Sequence, residues 1–489
     1  EKRKFVVDTH YCFTLDKVPE ELYETILENE EQLQNWEELY AMTKWDGDLE
    51  WDGKWTKDFL KQHPYMMVDT RFFEEAFKFD LLASIKDLER EISGLLFNGD
   101  NFQALNTINL QFKNSIQSVY TDPPYNTNAS EIIYKNGYKN SSWLSLLHDR
   151  LLLTQKLLKQ EGILCITIDD LEFSKLFELL SDTFGRDNHL ATTPIRNNPS
   201  GRSTVSGFSI NHEYGIYFSK SSKLSSVGYL EHSEEQKQRY NFKDPDGRRF
   251  EWENLRRNGP DSNREDRPKQ FYPLFYNKEG EIRLPDIEWS EEKREWSLKE
   301  TPKNNESEIW PIHPDGTEKV WRYSLDNILE EPERFKAELV NDRIEVYRKK
   351  YLNEKGLLPR TWWDKAAYSA RDRGTRELVY LFGESYVFDF PKAVGAVMDS
   401  LRVLKCVNEN YVLDIFAGSG TTGHAVLNLN KEDNGQRNYI LVEMGPYFET
   451  VLKPRIQKVA FSNNWKDGVP LDQDGQSHAF KYHFIESYE

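Results

Sequence analysis

"YVLDIFAGSGTTGHAVLNLN", residues 411–430, reads as a buried strand, a glycine-rich turn and a helix. Asp414 stands in the strand just before the turn. Gly418, Gly420 and Gly423 carry GxGxxG spacing, which lets a ligand approach the backbone closely. No GK[ST] follows, which argues against a phosphate loop for nucleotide hydrolysis. A dinucleotide survives on spacing alone, but an acid just before the loop repels a pyrophosphate. The acid suits a cationic or amine-bearing ligand such as S-adenosylmethionine, which has an amine, a sulfonium and a ribose and no phosphate. Glu443 lies 29 residues after Asp414, at the end of the next strand, "GQRNYILVEM". It is placed to accept from ribose hydroxyls.

The same rhythm fills the first half of the chain. "GLLFNGDNFQAL" gives a strand, a turn and a helix start, and "NSIQSVYTDPPY" a strand with its terminal loop. "SWLSLLHDRLLLTQKLLKQEG" is an amphipathic helix closed by Gly162, and "GILCITIDD" and "HEYGIYFSK" are strands. The alternation predicts an α/β fold, a doubly wound, mostly parallel, Rossmann-like sheet covered on both faces. Ligands of such sheets gather at the carboxyl ends of strands. Asp100, Asp122, Asp169, Asp414 and Glu443 all fall there. Residues 221–385 lose the rhythm and are rich in Arg, Trp, Asn, Pro and Gly, which predicts an inserted α+β domain. The expected organisation is an acidic helical segment (1–90), one half of the core (91–220), the insert (221–385), the other half (386–465) and a tail (466–489).

The net charge of −18 argues at first against nucleic acid. It is uneven, however: the first 60 residues hold 16 acidic and 7 basic side chains. Arg248, Arg256 and Arg257, and later Arg371 and Arg373, lie in basic clusters that can meet phosphate. The three cysteines are far apart and lack CxxC spacing, so neither a disulfide framework nor a zinc site is supported and no metal is expected. The pair Asp169-Asp170 reads as a loop or cap. No apolar run is long enough for a bilayer and no signal peptide opens the chain, so the expected compartment is the cytoplasm. The start at Glu1 without methionine is expected of a piece of something longer.

"SVYTDPPYNTNASEIIY", residues 118–134, ends a strand abruptly, because neither Pro123 nor Pro124 can donate to a ladder. The loop presents Asp122, the Pro123 carbonyl and Tyr125. An exocyclic amino group on a base is a poor nucleophile, since its lone pair is delocalised into the ring. Two acceptors on its N–H groups pull the nitrogen toward sp³. They also stabilise the positive charge that grows as it attacks a sulfonium methyl. Tyr125 can stack on a base drawn out of the duplex. The prolines fix φ, so the acceptors are placed before the substrate arrives.

With these two motifs in hand, the chain resembles the DNA amino-methyltransferases of the β class. In that class the DPPY block precedes the methyl-donor block and the target recognition domain lies between them. The order here is "TDPPYNT", the irregular insert, "FDFPKAVGAVMDSL" and "LDIFAGSGTTG". "DPPYNT" resembles the modification subunits of type III restriction-modification systems and related phage-defence methylases. The resemblance covers about 92–220 and 386–460. It implies a catalytic pocket of Asp122, Pro123, Pro124 and Tyr125. It implies contacts to S-adenosylmethionine from Asp100, Thr121, Asp414, Phe416, Gly418, Ser419, Gly420 and Glu443. Phe390 and Lys392 match a block that closes over the methionine moiety, although the second proline often found there is missing. Asn126 and Thr127 extend the DPPY loop in family fashion, with Asn128 where a glycine is usual.

"RNNPSGRSTVSGFSINHEYGIYFSK" resembles the block that flanks the flipped base. Arg196, Asn197 and His212 are candidates to contact DNA, and Phe208 to line the pocket. A hydrogen-bonded structural histidine explains His212 equally well. The insert, with Arg248, Arg256, Arg257, Arg371 and Arg373, is expected to read sequence and hold phosphates of double-stranded DNA. The family's use of DPPY favours adenine N6. Methylation of cytosine N4 or another amino nitrogen, and a catalytically silent DNA-specificity subunit, stay open as alternatives. A bacterial cytoplasm, a homodimer and a separate nuclease, helicase or other defence-system subunit complete what the resemblance suggests.

Overall fold

The computed structural model describes residues 4–46, 49–125, 140–201 and 207–486. Ten strands join in one sheet. In chain order they are β1 (Val6–Thr14), β2 (Met67–Asp69), β3 (Gly94–Asn98), β4 (Ile116–Thr121), β5 (Leu158–Ile168), β6 (His189–Ile195), β7 (Glu213–Ser219), β8 (Tyr411–Asp414), β9 (Asn438–Glu443) and β10 (Ala479–Ile485). Across the sheet they run β2-β1-β10-β3-β9-β8-β4-β5-β7-β6. The stretch from β10 to β5 is parallel throughout, and both margins are antiparallel.

Every residue of β4 is buried, as are the four central residues of β9. Such continuous apolar runs mark strands covered on both faces. The covering helices include α1 (Asn101–Phe112), α2 (Asn140–Leu157), α3 (Phe173–Phe184), α4 (Val394–Val403), α5 (Thr421–Asp433) and α6 (Lys453–Phe461). Leu105, Val119, Leu151, Leu164, Leu413 and Ile440 are buried in the shared core. Each such side chain contributes about 1.5–3 kcal/mol through burial.

Val412 stands opposite Ser118 and Leu413 opposite Val119. That register brings the ends of β4 and β8 together although Thr121 and Asp414 are 293 residues apart. From β4 the chain continues through α2 to β5 on one side; from β8 it continues through α5 to β9 on the other. A crevice therefore forms where the two directions part, at the carboxyl ends of β4 and β8.

Three expectations need correction. The front segment is not only helical, since β1 and β2 close one margin of the sheet. Residues 466–489 are not a mere tail, because β10 lies between β1 and β3. There Phe480 pairs with Gly94, where an added Cβ would meet Phe480 Cβ at 2.6 Å, so only glycine lets the strands approach. Buried Asp69 then ties the two termini in, accepting from Tyr482 Oη at 2.8 Å and Lys453 Nζ at 3.1 Å. Helix α2 stops at Leu157 rather than at Gly162. Gly162 lies inside β5, beyond a register shift that pairs Ile116 with Leu158 and then Ser118 with Ile163.

Residues 231–357 form a second compact unit, narrower than the expected insert. Its four-stranded antiparallel sheet combines Phe242–Lys243, Arg249–Asn254, Phe335–Val340 and Arg343–Tyr351. Leu255, Tyr272, Leu274, Trp321 and Val346 make its own core. The segment from Leu358 onward belongs to the larger unit, where Trp363 bonds with Pro194 and Arg196 through the backbone. Among the described residues no helix is long and apolar enough to cross a membrane, and no cluster of three His, Cys, Asp or Glu is placed to hold a metal.

Candidate active site

The prolines end β4, and Asp122, Pro123, Pro124 and Tyr125 follow at its carboxyl end. Asp122 Oδ1 accepts from Thr167 Oγ1 of β5 at 2.6 Å and faces Lys392 Nζ at 3.1 Å. The same ammonium donates at 2.5 Å to Glu213 Oε2, at the start of β7, and at 2.5 Å to Tyr125 Oη. Tyr125 Oη in turn donates to Glu213 Oε2 at 3.0 Å. Trp143 Nε1 occupies the Pro124 carbonyl at 2.8 Å. Among the described residues no donor reaches the Pro123 carbonyl.

Burial pushes the Asp122 carboxyl above its ordinary range; Lys392 opposes that and Glu213 adds to it. Burial pulls the Lys392 ammonium down, but Asp122 and Glu213 outweigh it and hold the group above its ordinary value. Tyr125 is pushed well up by burial and by the two acids, so it stays a neutral donor. The ring is thus fixed at its hydroxyl end, where the ammonium sits 4.8 Å from the ring centroid.

Next to this corner stands the glycine loop. Asp414, buried at the end of β8, accepts from Thr121 Oγ1 at 3.2 Å, Thr422 Oγ1 at 2.5 Å and the Phe416 amide at 3.1 Å. All three partners are neutral, and burial raises the Asp414 pKa to about 7. Glu443, at the end of β9, accepts from the Gly418 amide at 2.8 Å and the Gly445 amide at 2.7 Å, and burial raises its pKa too. Gly418 and Gly420 adopt φ of +51° and +80°. A Cβ at Gly418 would also meet Phe388 Cζ at 2.9 Å. From behind, the buried Arg455 guanidinium donates to Ser419 Oγ and Thr421 Oγ1, both at 2.9 Å, and pins the loop.

The structure thus brings Thr121, Asp122, Pro123, Pro124, Tyr125, Asp414, Phe416, Gly418, Ser419, Gly420 and Glu443 to one edge of the sheet. Lys392 also belongs there, and its ammonium faces Asp122. Asp100 caps α1 through the Phe102 and Gln103 amides and pairs with Arg150 at 2.8 Å, so its oxygens serve the fold. Asp169 accepts from the Leu171 amide at 3.1 Å as a turn residue. Asn126, Thr127 and Asn128 lie outside the described residues.

Among the candidates for DNA, Arg371 and Arg373 are exposed and Phe208 is 95% exposed. Arg196 and Asn197 are half-buried, tied by backbone bonds to Trp363 and Ala370. His212 is half-buried edge-on to Tyr214. In the smaller unit Arg248 is open but pairs with Asp244 at 2.8 Å and lies over Tyr351. Arg257 is half-buried there. Arg256 corrects the expectation of a DNA-reading side chain. It is buried, bonded to Glu345 Oε1 at 2.9 Å and to the Ile312 carbonyl at 3.0 Å, so it is a structural ion pair.

Sequence reasoning passed over Glu213, Thr167 and Arg455. Glu213 had one visible signal, an acid opening an otherwise apolar strand in "HEYGIYFS". Nothing local marks Thr167 or Arg455.

A parallel sheet with a proline-stopped acid and a glycine loop at adjacent strand ends defines the class of α/β enzymes that bring a methyl donor to an amino group. A DNA methylase family profile matches residues 116–453, and the chain belongs to that family. The chain is 29% identical over 383 residues to the type III restriction-modification enzyme EcoPI Mod subunit of Escherichia phage P1, covering 71% of this chain and 57% of that protein. It is 32% identical over 380 residues to the type II methyltransferase M.KpnI of Klebsiella pneumoniae, covering 75% and 84%. Among solved structures, the cytosine-N4-specific PvuII DNA methyltransferase aligns at 13% identity and a TM-score of 0.38, covering 77% of this chain and 89% of that one. The chain therefore spans a little over half the length of the EcoPI Mod subunit and most of M.KpnI.

Proposed function

We propose that this chain transfers a methyl group from S-adenosylmethionine to the N6 amino group of a flipped adenine in double-stranded DNA. The setting is restriction-modification or phage defence. The observation that carries the reading is the register of β4 against β8. It sets the Asp122–Pro123 acceptor pair one residue beyond the Thr121–Asp414 hydrogen bond, at 3.2 Å, that joins it to the glycine loop.

The loop fits this methyl donor. Gly418 and Gly420 keep the backbone bare of Cβ atoms, and the hydrogen-bond partners of Asp414 and Glu443 are all hydroxyls and amides. Acids without a cationic partner beside the loop suit an amine and a sulfonium better than a phosphate, Glu443 facing the loop amide of Gly418 and Asp414 shaping the loop from below. Glu443 and the loop amides are the residues that hold the methyl donor, which supplies an electrophilic methyl on sulfur.

The Asp122 carboxylate and the Pro123 carbonyl each accept one N–H of the base amino group and turn its lone pair toward that methyl. As the N–C bond forms and the C–S bond breaks, positive charge on nitrogen is met by the carboxylate. The nitrogen then sheds one proton toward Asp122, whose raised pKa suits it to accept. Tyr125, locked by Glu213 and Lys392, offers a fixed ring for the base to stack on. The unit 231–357, with exposed Arg248, Arg249 and Phe242, is the candidate reader of sequence. Any nuclease or helicase of the system is supplied by another subunit or by a part of the protein outside these residues.

Transfer of labelled methyl to duplex DNA, followed by nucleoside analysis, tests the reading. N6-methyladenine is the expected product. N4-methylcytosine would move the assignment to the other amino base, and no transfer by the native chain would overturn it.

A further inference from the structure

Two charged side chains in the Asp122 pocket have no role in the acceptor geometry itself. Lys392 Nζ bridges Asp122 Oδ1 at 3.1 Å and Glu213 Oε2 at 2.5 Å, and both partners are reached from different elements. Only 14% of the Lys392 side chain and 6% of the Glu213 side chain stay exposed, so neither pair is a solvated surface contact.

We propose that Glu213 and Lys392 are a matched pair of positioning residues, holding Asp122 ionised while leaving the pocket with one net negative charge. The proposal rests on the methyl-transfer reading. A desolvated carboxyl alone takes up a proton, and a protonated carboxyl donates where the base amine needs an acceptor. The ammonium prevents that. Left uncompensated, however, the same ammonium would oppose the positive charge growing on the attacking nitrogen only a few ångströms away. Glu213 cancels it. Two carboxylates and one ammonium then leave a single negative charge for the transition state.

The other groups around the pocket do not change this balance. Tyr120, Tyr125 and Cys165 are kept neutral, each pushed up by burial, and Thr167 carries no charge. Asp414, which titrates near 7 across Thr121, is common to every variant below.

Four proteins decide the matter: native, Glu213→Gln, Lys392→Met and the double variant. The readouts are single-turnover methyl transfer from about pH 5.5 to 9, methyl-donor affinity and thermal unfolding. Glu213→Gln should slow transfer about a hundredfold with methyl-donor affinity little changed. Lys392→Met leaves two carboxylates sharing one pocket, so its acidic limb should move up by about one pH unit or more. The double variant leaves Asp122 as the only charge of the trio, so its acidic limb also moves up, and above that limb it restores one net negative charge. It should transfer at least roughly fivefold faster than Glu213→Gln at alkaline pH. A double variant no faster than the slower single variant would overturn the proposal, as would single variants matching the native rate and pH profile. An inactive native chain would instead count against the methyl-transfer reading.

Discussion

Asp122 and Asp414 end adjacent strands, and Thr121 links them, preceding one and donating to the other at 3.2 Å. Burial pushes both carboxyls upward. Their neighbours separate them. Asp122 faces a lysine and keeps 26% of its side chain open, whereas Asp414 is closed in by two threonine hydroxyls and an amide. A carboxylate with a cation and an open face is equipped to meet a substrate. One sealed by neutral donors is equipped to shape a loop. Matching positions on the sheet thus yield two different jobs, and the difference comes from exposure and from side chains on other elements.

The largest expected effect lies on the open acid. Asp122→Ala should lower the rate of methyl transfer by about a thousandfold, since it removes the acceptor that meets the developing charge. Affinity for S-adenosylmethionine, measured by calorimetry, should stay within a few-fold. Loss of both together would place Asp122 in the loop's role and break the contrast.

The sealed acid should show itself in stability. Its pKa is about 7 in the folded protein, above the value of about 3.9 of an unfolded aspartate. Between those values the folded state holds a proton that the unfolded chain has released. Stability therefore falls as pH rises through the window, by up to about 1.4 kcal/mol per unit. Asparagine can still accept from Thr121 and Phe416 and donate to Thr422. The stability of Asp414→Asn relative to the native protein should accordingly improve from pH 5 to 8. Parallel unfolding curves at both ends would mean that Asp414 is ionised throughout.

Gly418→Ala probes the loop that Asp414 shapes. The residue has φ +51° and a Cβ would come within 2.9 Å of Phe388 Cζ. A cost of roughly 1–2 kcal/mol is expected from the backbone conformation alone. It should appear as weaker S-adenosylmethionine binding with little change in the rate at saturation. Unchanged affinity would detach the glycine loop from the methyl donor.

What could be read in the sequence follows the same division. The glycine loop, DPPY and the apolar strands are contiguous, so their chemistry and periodicity are visible in a short window. The pairing of β4 with β8 was reachable because both motifs end strands of one parallel sheet. The roles of Glu213, Lys392 and Thr167 were not, because each depends on where a side chain from a distant element comes to rest. Lys392 was legible only through its local block, which does not show that Asp122 and Glu213 face it. The termini were misread on similar grounds: β1, β2 and β10 are margin strands, stabilised by each other across the whole length of the chain. Arg256 looked like part of a basic cluster until Glu345, 89 residues away, closed its guanidinium.

The smallest expected effect applies the lesson of the two acids to arginine. Arg373 is exposed on a single helical turn over Arg371–Thr375, whereas Arg256 is buried against Glu345 and the Ile312 carbonyl. A side chain that meets a phosphate releases a counterion, and its loss reduces the slope of log affinity against log salt by about 0.9. Arg373→Ala should produce a change of that size with the methylation site unaltered, because phosphate contacts position the duplex without reading it. Arg256 is buried and turned to Glu345 and the Ile312 carbonyl, so it should contribute nothing to the slope. Salt titrations of duplex binding at several concentrations compare the two directly. An unchanged slope for Arg373→Ala would remove the exposed turn from the DNA interface, since exposure is the property that sets it apart from Arg256.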